Sequence, residues 1–217
     1  MLRVGLTGDL GSGKSTVARL FAQRGAIILS SDEMARAMMQ PGQPVYAAIV
    51  EHFGSGVVAI DGSLNRHELA RLAFSEGRAE ALNAIVHPAV LEEQARQIDE
   101  LAAANPEAIV VVESALIFTT KHGLEGRPWS KRFDRIVLVT APEAQKIARF
   151  IDRIAAGRVL GEEERAGLAA DAHRRLAMQA DNVAHVAECL VISNDDGLES
   201  LEKQVDAVWS KLREQKR

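Results

Sequence analysis

The segment Arg3–Gln23 reads RVGLTGDLGSGKSTVARLFAQ, and its pattern decides the fold. The central octet, Gly8–Ser15, fits G-x-x-x-x-G-K-[ST], the pattern of a loop that binds nucleotide phosphates. The apolar run Arg3–Thr7 precedes the octet, and Thr16–Gln23 carries apolar residues at helical spacing. A strand, a glycine-rich loop and a helix are therefore predicted in the order that a phosphate-binding loop requires.

The chemistry of this octet suits an anion with several oxygen atoms. Its glycines allow successive backbone N–H groups to point into one concavity, and the N-terminus of the following helix adds partial positive charge. Lys14 is expected to reach the outer phosphates, and Ser15 offers a hydroxyl to Mg²⁺, which prefers oxygen ligands and keeps several waters. A glycine-rich turn that only links a strand to a helix is the alternative. The predicted nucleotide ligands are Gly11, Ser12, Gly13, Lys14, Ser15 and Thr16.

Further apolar runs rich in Val, Ile and Leu alternate with helical patterns along the chain. Strands that are hydrophobic on both faces and separated by helices form parallel sheets that are covered on each side. The predicted fold class is therefore α/β, a three-layer P-loop NTPase fold with a five-stranded parallel sheet, in which ligands gather at the carboxyl ends of the strands. The predicted strands span 3–7, 26–30, 108–113, 135–140 and 189–193.

The interval between the second and third predicted strands is too long for a single crossover. Residues 33–106 must include helices of their own, and we expect them to form a helical insertion that binds the substrate. The other predicted domains are a nucleotide-binding core, formed by 1–32, 107–150 and 180–217, and a lid, 151–179. Most of the lid is polar, charged and rich in alanine, which is typical of an exposed helical segment that can move.

Local signals place helices within these domains. Asn65 or Ser63 is expected to cap a helix of the insertion, and Pro88 is expected to separate two helices, because the residue before a proline avoids helical geometry. Thr140–Glu143 resembles a capping box at the start of a helix. The last helix is predicted to dock on the sheet through Leu198, Leu201, Val205, Val208 and Leu212.

The composition argues against several classes of protein. The chain has 217 residues, 47% of them hydrophobic, so it can bury a sizeable core. Its 26 Lys and Arg residues against 30 Asp and Glu give a formal charge of -4, which argues against a nucleic-acid or anionic-membrane surface. Cys189 is the single cysteine, and the chain shows neither a leader nor a long uncharged run. We therefore predict a cytoplasmic protein without nucleic-acid or membrane partners.

Asp32 follows the second predicted strand, at the sheet edge where the phosphate loop is also expected. Phosphoryl transfer to an alcohol needs in-line placement, charge neutralisation and a carboxylate that takes the hydroxyl proton. Asp32 is therefore our candidate for the catalytic base. The alternative is that Asp32 or Ser31 only caps the helix predicted over Glu33–Met39.

Arg149 and Arg153 stand four residues apart and so share one face of a predicted helix at the start of the lid. A kinase must neutralise charge on the moving phosphoryl group and exclude water, and arginines on a mobile segment can do both. The alternative is a solvated helix face on which these arginines pair with Asp152 or Glu143.

Taken together, these residues resemble the dephospho-CoA kinases, which use ATP to phosphorylate the ribose 3'-hydroxyl of dephospho-CoA. The likeness covers nearly the whole chain, and its most selective parts lie in the insertion. The matching residues are Gly5-Leu6-Thr7-Gly8 leading into the loop, Asp32 with Ala35-Arg36, Phe53-Gly54, Asp61-Gly62-Ser63-Leu64-Asn65-Arg66, Leu69, Phe74, His87-Pro88-Ala89-Val90, Gln145, Arg149, Arg153, Arg175, Gln179 and Ile192-Ser193-Asn194.

The resemblance implies ATP and dephospho-CoA as substrates, in the last step of CoA synthesis, and the insertion as the CoA-binding domain. The implied catalytic residues are Asp32, Lys14 and Arg149. Arg153 and Asn194 are implied ATP ligands, and the implied substrate-binding residues are Arg36, Arg66, His87 and Gln179. For three of these residues a purely structural role stays open as the alternative: Arg66 as a surface arginine, His87 as a residue that stabilises a helix end, and Asn194 as a turn residue.

The chain also departs from the family pattern. Ser30 stands where the family often has a first aspartate, and Thr119 replaces a customary acid. Glu113 either helps to hold Mg²⁺ through water or only closes the third strand. Two other functions remain as alternatives: a kinase for another small alcohol such as a nucleoside, and a nucleotide-dependent switch, against which the presence of Asp32 argues.

Overall fold

The computed structural model describes residues 1–72, 77–120, 128–179 and 181–215. The chain divides into two compact units. Met1–Leu29, Asn105–Thr119 and Trp129–Arg217 form the first unit, and Ser30–Ala104 form most of the second. Phe74, which contributes to the family resemblance, lies outside the described residues.

Five strands among the described residues form one sheet. They are β1 (Leu2–Gly8), β2 (Ile27–Ser30), β3 (Ile109–Glu113), β4 (Arg135–Thr140) and β5 (Leu190–Ser193). Their order across the sheet is β2-β3-β1-β4-β5, and β1 pairs in parallel with both β3 and β4, as β4 does with β5. The predicted five-stranded parallel sheet is confirmed, and each strand begins and ends within one residue of the expected bounds.

Helices connect and cover these strands. In chain order they are α1 (Lys14–Gln23), α2 (Ser31–Met38), α3 (Pro44–Phe53), α4 (Arg66–Ala70), α5 (Ala79–Ala104), α6 (Trp129–Arg132), α7 (Glu143–Ala155), α8 (Glu162–Ala177), α9 (Asp181–Ala184) and α10 (Leu198–Gln215). Short 3-10 turns occupy Ser55–Val57 and Val186–Glu188. No helix in the described part of the chain is both long and apolar enough to cross a bilayer.

The core of the first unit lies between the sheet and two helices, α1 and α10. Val4 and Leu6 of β1 are fully buried there, together with Val17 and Phe21 of α1. Leu201, Val205, Val208 and Leu212 of α10 are buried as the apolar stripe predicts. Leu198 is an exception, since 55% of it is exposed at the first turn of α10, so the prediction that it docks on the sheet is wrong.

The second unit has an apolar cluster of its own, built around Ile49 and Val57. Asn65 caps α4 by accepting a hydrogen bond from the Glu68 N–H at 3.1 Å, as predicted. Pro88, however, does not separate two helices, because α5 runs through it without a break. A proline inside a helix costs about 3 kcal/mol. Here apolar residues on both sides of the proline, such as Val86 and Ala89, pack against the same cluster and offset that cost.

The segment predicted as a lid packs against α7. Phe150 and Ile151 of α7 form a small apolar cluster with Ala172 of α8, and Leu160 and Leu168 lie against it. The capping box expected at the start of α7 is wrong: the N-cap is Pro142, with no side-chain cap. The helix itself follows the prediction, since Glu143–Ala155 includes both Arg149 and Arg153.

Cys189, the single cysteine of the chain, is half-buried just before β5. Its thiol donates a hydrogen bond to the His185 carbonyl oxygen at 3.1 Å. Desolvation, with a smaller contribution from the negative charge of Glu188, raises the pKa of this thiol to about 11. At neutral pH the thiol therefore stays protonated and is a poor nucleophile.

Candidate active site

The phosphate loop runs from the end of β1 to the start of α1, next to the point where the strand order reverses. β1 has neighbours from later in the chain on both sides, and ligands of open α/β sheets bind at such a switch point. At two positions of the loop, neighbouring atoms lie so close that only glycine fits. A Cβ on Gly11 would lie 2.2 Å from the Lys146 carbonyl oxygen, and one on Gly13 would lie 2.2 Å from Asn194 Nδ2. Gly13 also has a φ of 99°, which disfavours other residues.

Lys14 is half-buried, and its ammonium group lies over the loop. Its Nζ donates hydrogen bonds to the carbonyl oxygens of Gly8 at 2.6 Å and Asp9 at 3.2 Å. The same group is the only cation that the octet Gly8–Ser15 itself contains. The predicted contact of this ammonium group with the outer phosphates of a nucleotide stays a prediction.

Ser15 and Glu113 meet at the carboxyl ends of neighbouring strands. Ser15 Oγ donates a hydrogen bond to Glu113 Oε1 at 2.7 Å, and Glu113 is the last residue of β3. No group of three His, Cys, Asp or Glu side chains among the described residues is placed to hold a metal ion by itself. A hydroxyl and a carboxylate nevertheless fit Mg²⁺, which takes one or two protein oxygens and completes its shell with phosphates and waters.

Within the described ranges, the Arg149 guanidinium donates to two backbone carbonyl oxygens and one side-chain amide oxygen, and to no carboxylate. Its Nη2 donates to Gln145 Oε1 and to the Asn194 carbonyl oxygen, both at 2.9 Å, and its Nη1 lies 3.4 Å from the Gly11 carbonyl oxygen. The alternative in which Arg149 pairs with Asp152 or Glu143 is therefore wrong. Arg149 is half-buried beside the loop, which places a positive charge next to the predicted phosphate site.

Asn194 joins β5 to the loop. It is 9% exposed, and its Nδ2 donates to the Ser12 carbonyl oxygen at 2.8 Å. It is therefore more than a solvent-exposed turn residue, since its side chain supports the loop from the side of β5. Arg153, unlike Arg149 and Asn194, is exposed. Its guanidinium lies over the Phe150 ring, 5.8 Å from the centroid.

Asp32 lies in the first turn of α2, the helix that directly follows β2. Neither Asp32 nor Ser31 caps that helix, because the cap is Ser30, whose Oγ accepts a hydrogen bond from the Glu33 N–H at 3.3 Å. The capping alternative is therefore wrong, and the Asp32 carboxylate is exposed. Ser31 is held by the buried Gln94, whose Nε2 donates to Ser31 Oγ at 2.8 Å, so the first turn of α2 is anchored to α5.

Known proteins similar to this chain establish its family. The dephospho-CoA kinase family model matches residues 2–200. The chain belongs to the dephospho-CoA kinase family. A dephospho-CoA kinase of Moorella thermoacetica is 38% identical over 215 residues, which cover 98% of this chain and 93% of that protein. One of Streptomyces avermitilis is 39% identical over 215 residues, covering 98% of this chain and 94% of that one. A solved structure of a Thermus thermophilus protein is 29% identical, with a TM-score of 0.67 over 97% of each chain.

The four predicted substrate ligands of this dephospho-CoA kinase family member lie in four different places. Arg36 is exposed on α2, and Arg66 is exposed at the first position of α4. His87 is half-buried in the middle of α5, so the alternative that it stabilises a helix end is wrong. Gln179 lies beside the phosphate loop in the first unit, where its Oε1 accepts a hydrogen bond from the Leu10 N–H at 2.7 Å. The substrate-binding roles of these residues remain predictions.

Sequence reasoning missed two polar residues, Lys146 and Asn182, that hold the loop at Asp9. The Asp9 carboxylate forms an ion pair with Lys146 and accepts a hydrogen bond from Asn182 Nδ2 at 2.8 Å. Asn182 is almost fully buried. The only signal in the sequence is Asp9 itself, an acidic residue at a variable position of the phosphate-loop pattern. Because the loop binds anions, this acid requires a nearby positive charge.

Proposed function

We propose that this chain transfers the γ-phosphoryl group of ATP to the ribose 3'-hydroxyl of dephospho-CoA and so forms CoA, the last step of CoA synthesis. The observation that carries this conclusion is the family match over residues 2–200, which includes the phosphate loop and the insertion. The transfer is direct and in-line, without a covalent enzyme intermediate, as is common for phosphoryl transfer to an alcohol.

The phosphates of ATP bind the loop residues Gly11–Thr16. Backbone N–H groups at the start of α1 and the positive end of that helix favour the phosphate oxygens. Lys14 contacts the outer phosphates, and Arg149 adds a second cation beside the loop. Three observations support this placement of the ATP phosphates. The loop is held from α7 and β5. Arg149 is half-buried beside the loop and is anchored by the Asn194 carbonyl oxygen. Arg153 and Asn194 complete the proposed ATP site.

Ser15 and Glu113 would hold Mg²⁺, Ser15 through its hydroxyl and Glu113 through an intervening water. When bound, the ion neutralises charge on the phosphate oxygens. The 2.7 Å contact between the two side chains supports this pairing, because it places two hard oxygen ligands within reach of one cation.

Asp32 accepts the proton of the 3'-hydroxyl as the oxygen attacks phosphorus. The transition state of phosphoryl transfer is loose, so the proton leaves late and a well-placed carboxylate suffices to accept it. Support comes from the exposure of Asp32 and from Ser30, which caps α2 and leaves the Asp32 carboxylate free of that task. The acceptor binds the insertion, where Arg36 and Arg66 offer guanidinium groups suited to its pyrophosphate and His87 adds a further polar contact. Gln179, a residue of the first unit, is kept as a further proposed substrate ligand.

One assay separates the proposed function from its two alternatives. ADP release from Mg-ATP is followed with dephospho-CoA, with adenosine and without an acceptor. We expect release to depend on dephospho-CoA. Faster release with adenosine would identify a nucleoside kinase, and release that is indifferent to any acceptor would favour a nucleotide-dependent switch.

A further inference from the structure

The acidic residue within the phosphate loop needs an explanation. Asp9 directly follows Gly8, the first fixed position of the loop, and a free carboxylate there would repel the phosphates that the loop binds. The structure pairs it instead. Lys146 Nζ forms an ion pair with the Asp9 carboxylate, and the two side chains are only 14% and 15% exposed. Asn182 Nδ2 donates to the second carboxylate oxygen at 2.8 Å.

The neighbouring peptide groups of the loop are also held from outside it. Gln179 Oε1 accepts a hydrogen bond from the Leu10 N–H at 2.7 Å, so this N–H is engaged by a side chain of the predicted lid. Asn182 Oδ1 lies 3.5 Å from Thr7 Oγ1 at the end of β1. Contacts from α7, from residue 179 and from α9 therefore converge on Thr7–Leu10.

The ion pair is coupled to the rest of the nucleotide site through α7. Lys146 lies one turn before Arg149 on the same helix, and the Lys146 carbonyl oxygen faces Gly11. A shift of Lys146 would move α7 against Gly11, while a carboxylate that lost its partner would place an uncompensated negative charge in the loop. Removing one partner of a desolvated charge pair costs more than the pair is worth when it is intact.

We propose that Lys146, Asn182 and Gln179 are positioning residues that clamp Asp9 and Leu10 and thereby set the phosphate loop for nucleotide binding. This proposal rests on the proposed role of the loop as the ATP site. Lys146 acts in two ways: it holds the Asp9 carboxylate against α7, and it cancels the charge of that carboxylate. If the charge of Asp9 matters, removing that charge from the Lys146 variant should restore nucleotide affinity. An ion pair that only stabilises the fold does not predict this recovery.

The test uses three variants of the full chain, Lys146→Met, Asp9→Asn and the double variant, and measures ADP affinity by calorimetry. We expect Lys146→Met to weaken ADP binding about tenfold or more, because an unpaired carboxylate then faces the phosphates. Adding Asp9→Asn removes that charge and keeps an acceptor for Asn182, so we expect the double variant to recover most of the lost affinity. The KM for ATP should follow the same order, while the KM for dephospho-CoA stays within about twofold.

Arg24→Met is the matched control. Arg24 pairs with Asp206 at 2.7 Å, at the far end of α1 from the loop. The Arg24→Met variant should have a lower melting temperature and an unchanged ADP affinity.

The possible outcomes separate the clamp from the proposed function. If Lys146→Met and the double variant change the melting temperature but not ADP affinity, the ion pair is only structural and the proposal is wrong. The same conclusion follows if Asp9→Asn fails to restore affinity. If the variants show the expected ADP affinities but the unaltered protein does not phosphorylate dephospho-CoA, the proposed role of Lys146 is supported and the proposed acceptor is wrong. An unaltered protein that binds no ADP would contradict both.

Discussion

Ser15 Oγ donates a hydrogen bond to Glu113 Oε1 at 2.7 Å, and this contact links the phosphate loop to the end of β3. It forms because β1 and β3 are paired in parallel, so the residues beyond their carboxyl ends are neighbours. Glu113 is therefore more than a residue that closes a strand. Its carboxylate orients the hydroxyl that is proposed to bind Mg²⁺.

Glu113→Gln should raise the Mg²⁺ concentration that gives half-maximal turnover by about tenfold, since residues that support a metal site typically change its affinity by that amount. Turnover at saturating Mg²⁺ should fall much less. The measurement is a Mg²⁺ titration of ADP release at fixed ATP. Glu199→Gln, at the exposed start of α10, is the control. An unchanged Mg²⁺ dependence would rule out a role for Glu113 in holding the ion.

Arg149→Ala should lower kcat/KM for ATP by about 100-fold, because it removes a half-buried cation beside the loop. Arg153→Ala should have a smaller effect, since Arg153 is exposed and lies over Phe150. Steady-state kinetics with both variants checks this order. Equal losses, or a larger loss for Arg153→Ala, would mean that the contacts of Arg149 do not define its role.

Gly13→Ala should abolish nucleotide binding, because the added Cβ would lie 2.2 Å from Asn194 Nδ2 and because the residue has a positive φ. Gly25 provides a matched control at the other end of α1. It has a similar φ of 96°, but no atom of the described residues lies within 4 Å of where its Cβ would be. Gly25→Ala should therefore cost about 1 to 2 kcal/mol of unfolding free energy without changing ADP affinity. Calorimetry and thermal unfolding distinguish the two effects, and normal ADP binding by a folded Gly13→Ala variant would contradict the geometry.

Asp32→Asn should lower kcat by about 10² to 10⁴-fold and leave the Kd for ATP within about twofold, as expected of a group that acts at the chemical step. The neighbouring Glu33→Gln is the control, since Glu33 is exposed in the same helical turn and contributes only its backbone N–H to the cap. Parallel losses of turnover and ATP affinity in Asp32→Asn would make Asp32 a structural residue.

The strands and the phosphate loop could be predicted because their signals are local. Each strand is a short apolar run bounded by turn residues, and the loop octet carries its own chemistry. The failed predictions concern positions where tertiary packing outweighs local preference. Pro88 disfavours a helix locally, yet α5 continues because residues on both sides of it pack against one cluster.

The contacts around Asp9 show the other limit of the sequence. Asp9, Lys146 and Asn182 lie far apart along the chain, and only the fold brings them together. Ser30 is a further case: in the sequence it marks a missing aspartate, whereas in the structure its hydroxyl caps α2. Local patterns predict which residues can bind an anion, but they do not show which distant side chains hold those residues in place.

The most direct test of the whole account is the identity of the product. ³¹P NMR of a reaction with Mg-ATP and dephospho-CoA should show a new monoester resonance of a ribose 3'-phosphate that grows in step with ADP. Growth of inorganic phosphate in its place, or a phosphate ester on any other position of the acceptor, would contradict the account.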